Sequence, residues 1–194
     1  MISRRALILP YHGVRPVIGD DVFLAPGSIL IGDVILAEET SIWYQTVVRA
    51  DVNFIRIGRR TNIQDGSVVH VTNQTHPVRI GEGVTVGHAA IIHGATLEDG
   101  CFIGMRALIM DGARIGPGAM VAAGSLVPPD MEIPPRVLAM GSPARVKRSL
   151  TQEEIQGIAQ SASRYVEYAR EHTAELMAGE GGSLSPPDGT GRGR

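Results

Sequence analysis

Aliphatic residues recur at every sixth position along most of this chain. Ile18, Leu24, Leu30, Leu36, Ile42, Val48 and Phe54 keep the beat, which restarts at Ile57 and continues through Ile63 and Val69. It resumes at Ile80, Val86 and Ile92, slips by one residue, and runs on through Ile103, Ile109, Ile115, Val121 and Val127. Six is not a helical period, and the Gly and Asp residues inside the units disfavour helix. The pattern suits a short strand and a tight turn, repeated. Three units close one triangular coil of 18 residues, with each aliphatic residue pointing inward and small residues at the corners. Coils then stack through parallel-strand hydrogen bonds about 4.8 Å apart. The expected fold is an all-β solenoid, a parallel β-helix of roughly 17 units and so about six coils. A β-sandwich with coincidental spacing is the competing fold, and so many units in phase argue against it.

Composition agrees with such a core. The chain is 43% hydrophobic but only 4% aromatic, so the interior must be built from Val, Ile, Leu, Ala and Met. A net charge of −2 argues against nucleic-acid or membrane-surface partners. The single cysteine, Cys101, excludes an internal disulfide and fits a reducing compartment. The opening "MISRRALILPYHG" has an apolar run too short for a signal peptide or a membrane span, so the expected address is the cytoplasm.

After Val127 the beat fails. Residues 1–130 are expected to form the β-helix, and the Pro-rich stretch 131–150 reads as an ordered connector. Thr151 and Glu154 then make a capping box. Ile155, Ile158, Ala159, Ala162, Val166 and Ala169 form an apolar stripe at helical spacing, predicting one amphipathic helix over 151–178 that lies along the solenoid. The tail 179–194 cannot bury apolar surface and is expected to be disordered.

The period locates three of the six histidines. His70 and His93 are 23 residues apart, and removing the five residues by which the outward loop around "TNQTHP" lengthens the step from Val69 to Ile80 leaves one coil of 18. Both follow an inward aliphatic residue, so they stack on one face, one strand spacing apart. Two imidazoles so placed can share a metal at about 2.0–2.1 Å. His88 lies on a different face and cannot reach the pair within one chain. It can reach the pair of a neighbouring chain if faces pack around a threefold axis. The same subtraction puts Asp65 one coil before His88, and Arg49 one coil before His70 if three residues near 54–57 are also extruded. Pressed together, these faces give a three-histidine site and an Arg–Asp pair in a cyclic homotrimer. Three neutral histidines leave the fourth position of a tetrahedral Zn²⁺ open for water, whose pKa then falls to about 7. A small pocket with few polar groups suits CO₂. His12, before the coils, and His172, late on the helix, read as ordinary surface histidines. His76, on the loop, reads the same way, though its pKa range would also allow proton transfer.

At these residues the chain resembles a known family. "VRAD" at 48–51, "TNIQDGSVVH" at 61–70, "VTVGH" at 84–88, "IIHG" at 91–94, "IMDGA" at 109–113 and "MGSPARVKR" at 140–148 are similar to gamma-class carbonic anhydrases. The resemblance spans residues 10 to about 170. It implies a left-handed β-helix assembled as a homotrimer, with one Zn²⁺ or Fe²⁺ at each subunit interface. It implies that His70 and His93 of one chain and His88 of the next bind the metal. Gln64 would position the hydroxide formed there, Arg49 and Asp65 would bridge the interface, and Asp51 and Asn62 would lie in the same polar network. The implied reaction is reversible hydration of CO₂ to bicarbonate and a proton. The loop "VTNQTHPVR" lacks the acid that moves protons in the best-characterised relative, and Val52 stands where that relative has a second glutamate, so slower turnover is expected. Tyr165 or Tyr168 on the helix could approach the site, though packing accounts for both. Two other readings use the same fold: a hexapeptide-repeat acyltransferase with one catalytic histidine and a coenzyme A groove, and a trimeric module that keeps the metal as a staple with little or no hydratase activity.

Overall fold

Apart from Phe54, the residues on the six-residue beat turn inward, and the three columns so formed are the core. Leu24, Ile42, Ile63, Val86, Ile103 and Val121 are stacked in register and have no solvent exposure. Leu30, Val48, Val69, Ile92, Ile109 and Val127 form the second column, also at 0%. Leu36, Ile57, Ile80, Leu97, Ile115 and Ile133 form the third. Burying each such side chain contributes about 1.5–3 kcal/mol, and no aromatic is needed to fill the triangle. The structure, a computed structural model, describes residues 2–3 and 5–180. It is a parallel β-solenoid of about seven turns with one helix laid along it.

The solenoid extends further at both ends than the aliphatic beat alone indicates. Strand Leu7–Leu9 already pairs with the start of Ile29–Leu36. Beyond Val127, the stretch 131–150 that reads as a connector carries three strands. Glu132–Ile133 and Val137–Gly141 continue the coils, through Ile115↔Ile133 and Val121↔Ala139. Ala144–Ser149 then folds back antiparallel on Val137–Gly141. The prolines hide this continuation. They sit at corners, where no ladder hydrogen bond is required of them, while Ile133 and Ala139 keep the inward spacing of six. Phe54 is a second difference. It points outward with the Arg56 and Arg79 guanidiniums 4.7 and 4.5 Å from its ring centre, and Ile57 takes the inward place.

Side chains alternate across each strand, so every coil also presents three outward columns, and these differ in character. The first, which includes Phe23, Ser41, Asn62 and Thr85, is covered by helix Gln152–Glu180. Ile158, Ala162, Val166 and Ala169 are its buried stripe. Trp43 stacks edge-on against Tyr165 and His172, and the Tyr44 hydroxyl is 2.9 Å from His172 Nδ1. The helix runs through Gly179 to Glu180, past the expected stop, and the remainder of the tail, 181–194, lies outside the described residues. The second outward column is aliphatic throughout: Leu7, Ile29, Val47, Val68, Ile91, Leu108 and Leu126 follow one another in register. Among the described residues no element covers it, and Ile91 stays 40% exposed. The third holds Arg56, Arg79, Arg114 and Glu132 and is a charged, solvated face. Among the described residues, no helix is long and apolar enough to cross a membrane.

Candidate metal centre

His70 and His93 end two adjacent strands, Val68–His70 and Ile91–His93, and are direct register partners. Arg49 is the partner of His70 on the other side, so the three occupy consecutive coils at one edge of the aliphatic face. The loop between Val69 and Ile80 is extruded and closed on itself by the Thr72 amide donating to the His76 carbonyl at 2.9 Å. That closure lets the coil continue beneath it without loss of register.

The imidazoles face each other, with His70 Nδ1 and His93 Nε2 3.0 Å apart. Each ring's other nitrogen is held by a carboxylate: His70 Nε2 lies 3.1 Å from Asp51 Oδ1, and His93 Nδ1 lies 2.6 Å from Asp111 Oδ1. Arg49 is paired with Asp51 in turn. Burial pushes the Asp51 carboxyl up, but hydrogen bonds from His70 and Arg49 outweigh it and hold the group below the ordinary carboxylate range. The balance at Asp111 is the same, with burial opposed by hydrogen bonds from His93 and Thr72. Both are therefore carboxylates at neutral pH and can only accept. Burial is the largest influence on His70 and lowers its pKa, which favours the neutral ring. When both rings are neutral and donate outward to the carboxylates, two lone pairs turn toward one point between them. A cation there satisfies both, and carboxylate-backed imidazoles are the usual form of a histidine metal ligand. The donor set present fits Zn²⁺ or another imidazole-preferring divalent ion.

His88 stands apart from the pair. It lies in the turn between strands Thr85–Val86 and Ile91–His93, at the opposite edge of the same aliphatic face, so it occupies a corner rather than a face. Its Nδ1 is 2.8 Å from Asp65 Oδ2, and Asp65 is in the corresponding turn one coil earlier. Among the described residues, no three His, Cys, Asp or Glu side chains of the one chain are gathered so as to hold an ion. Within one chain, then, Arg49 pairs with Asp51 and Asp65 with His88.

Gln64 and Asn62 belong to this second edge. Asn62 is 1% and Gln64 5% exposed, under the helix. Gln64 Nε2 donates to Asn62 Oδ1 at 3.1 Å, and Asn62 Nδ2 donates to Thr85 Oγ1 at 2.9 Å. The expected single network containing both Asp51 and Asn62 is thus divided in the chain, because the two stand at opposite edges of one face. Tyr165 rather than Tyr168 lies near this edge. Burial raises its hydroxyl first and the charge of Asp65 raises it further, while Tyr168 is 40% exposed. His12 packs edge-on against Tyr11, and His76 Nδ1 lies 2.9 Å from Thr75 Oγ1.

Asp111 and Thr72 are absent from the sequence-based set. Asp111 is 18 residues past His93, a signal in principle, but the one-residue slip before Ile103 makes Met110 the register partner and disguises it. Thr72 Oγ1 donates to Asp111 Oδ2 at 2.8 Å.

Known proteins similar to this chain share its hexapeptide repeat. The family described as "Bacterial transferase hexapeptide (six repeats)" matches residues 94–129, and the "Hexapeptide repeat of succinyl-transferase" matches residues 77–105. The chain is 45% identical over 168 residues to a carbonic anhydrase of Geobacillus kaustophilus, covering 87% of this chain and 92% of that protein. It is 44% identical over 179 residues to the mitochondrial gamma carbonic anhydrase 1 of Arabidopsis thaliana, covering 90% of this chain but only 65% of that longer protein. A crystal structure of a hexapeptide transferase family protein from Anaplasma phagocytophilum is 40% identical and superimposes with a TM-score of 0.83, over 87% of this chain and 99% of that one.

Proposed function

The chain belongs to the gamma-class carbonic anhydrase family, and from that premise we propose that it hydrates CO₂ reversibly to bicarbonate and a proton at a metal shared between copies of a homotrimer. His70 and His93 of one copy and His88 of the next would hold the ion, Zn²⁺ or Fe²⁺, one at each subunit interface. The observation that carries this reading is the pair of imidazole nitrogens converging at 3.0 Å with a carboxylate behind each ring. The aliphatic outer column supports the assembly. It is long, continuous and left uncovered by the described residues, with His88 at one edge and His70–His93 at the other. Identical copies packed through such a face bring unlike edges together in a closed ring, which is what a heterologous threefold contact requires.

When bound, the metal supplies Lewis acidity that makes water nucleophilic near neutral pH. The remaining roles fall to the chain. Asp51 fixes the ring of His70, and Arg49 holds Asp51. Across the interface Arg49 would also reach Asp65 of the next copy, where a planar guanidinium can bond a carboxylate in two places and set the orientation of the subunits. Asn62 takes one amide hydrogen of Gln64, so that amide is held in a single orientation and can direct the attacking oxygen at CO₂. The apolar column beside the site excludes water and suits a small apolar substrate. Nothing on the loop replaces an acidic proton carrier except His76, so export of the proton would limit the rate. The buried, unpaired Cys101 is consistent with a cytoplasmic address.

The name of the Anaplasma structure keeps acyl transfer as the second reading. Metal analysis and activity separate the readings. Protein purified gently should carry one zinc or iron per chain and hydrate CO₂ in stopped flow when loaded. His88→Ala should lose the metal and weaken the trimer. Full metal content in that variant would overturn the shared site, and a metal-loaded trimer without hydration would leave only the assembly role.

A further inference from the structure

We propose that Asp111 is a positioning residue for this site, holding His93 in the tautomer that points its Nε2 lone pair at the metal position, and that Thr72 on the extruded loop orients Asp111 for that task. The proposal rests on the metal-site reading above. Four observations carry it. The His93 Nδ1 to Asp111 Oδ1 distance of 2.6 Å is the shortest of the three carboxylate contacts made by His70, His88 and His93. An ionised carboxylate can only accept, so that contact requires a proton on Nδ1, and in the neutral ring this is the tautomer whose Nε2 is bare. The opposite oxygen, Oδ2, takes the Thr72 hydroxyl at 2.8 Å, which uses the second side of the carboxylate and sets its plane. The backbone is also shaped for this contact: a Cβ at Gly94 would collide with Asp111 Oδ1 and with the Cβ of His76 at 2.7 Å, so the residue beside His93 must be bare for the carboxylate to reach the ring.

The loop thereby gains a function. It interrupts the six-residue period, closes through Thr72 and His76, and delivers one hydroxyl to the carboxylate behind a candidate ligand. Asp51 does the equivalent work for His70 by direct contact and is itself held by Arg49. The two rings are thus oriented by different elements, the one by its own neighbouring strand and the other by the loop together with the next coil.

The test uses the full-length protein and two readouts. The first is the tautomer of His93, read from histidine ¹⁵N shifts in metal-free protein. The second is zinc affinity, read by competition with a chromophoric chelator. In the wild type the proton should sit on Nδ1. In Asp111→Ala it should move to Nε2, and zinc affinity should fall about 10–100-fold. Thr72→Val should weaken zinc binding by less, and Thr72→Ser should restore it. If Asp111→Ala does not fold, the Thr72 pair decides: wild-type affinity in Thr72→Val overturns the proposal. So does a His93 that keeps its proton on Nδ1 without Asp111. A wild type that binds no zinc while its tautomer still follows Asp111 would refute the metal reading and leave the positioning contact standing.

Discussion

Gly94 and Gly66 both sit in coil turns at positive φ, +56° and +67°, yet their surroundings differ. A Cβ at Gly66 meets no atom within 4 Å, whereas one at Gly94 meets Asp111 and His76. Gly66→Ala should therefore cost only the left-handed backbone preference, about 1–2 kcal/mol, with zinc binding intact. Gly94→Ala should cost more in denaturant unfolding and should also reduce zinc affinity, because it displaces the carboxylate behind His93. Equal effects of the two variants would mean that crowding at Gly94 is unimportant. The histidine pair itself was legible from residue spacing, since a period of 18 with one loop removed leads straight to His70↔His93. Asp111 was not legible in the same way, because it reaches His93 diagonally across a coil shortened by one residue.

The helix Gln152–Glu180 is tied down at its start by a box that the sequence announces. The Glu154 amide donates to Thr151 Oγ1 at 3.2 Å, and the Thr151 amide donates to Glu154 Oε2 at 2.8 Å. Arg148 adds two hydrogen bonds to the same carboxylate, and these lead the causes that bring Glu154 down to about 2. A depressed carboxyl contributes stability that is present above its unfolded pKa, about 4.3, and is lost as pH falls through the folded value. The helix start should therefore fray between about pH 4 and 2. Amide exchange at 152–156 should detect this, and Glu154→Gln should abolish the pH dependence. Thr151→Ala should cost about 1 kcal/mol at any pH. In the solenoid, Ile103→Ala removes a fully buried branched side chain and should cost about 2–5 kcal/mol in the same unfolding measurement. Strands Glu132–Ile133 and Val137–Gly141 escape a reading by composition, because paired prolines at the corners look like the end of a repeat while the inward Ile133 and Ala139 continue it.

The solenoid has three sides, and the described residues account for two of them. One is under the helix, one is charged, and the third is the aliphatic column from Leu7 to Leu126. On the proposed assembly, Ile91→Arg should leave a monomer in sedimentation where the wild type is a trimer, while circular dichroism stays unchanged, since Ile91 points away from the core. Zinc should be lost with the trimer. A trimeric Ile91→Arg variant would mean that the copies meet through another side. The order of residues suffices to derive the coil, its inward columns and the stacking of His70 on His93, because a strict period converts position along the chain into position in space. It separates His88 and Asp65 from Arg49 and the histidine pair, but it cannot reach their placement at opposite edges of one face rather than on two faces. Nor can it reach the carboxylates that set the ring tautomers. Those depend on where extruded residues and a shortened coil place side chains across neighbouring turns, a matter of distances in the folded molecule that no periodicity encodes.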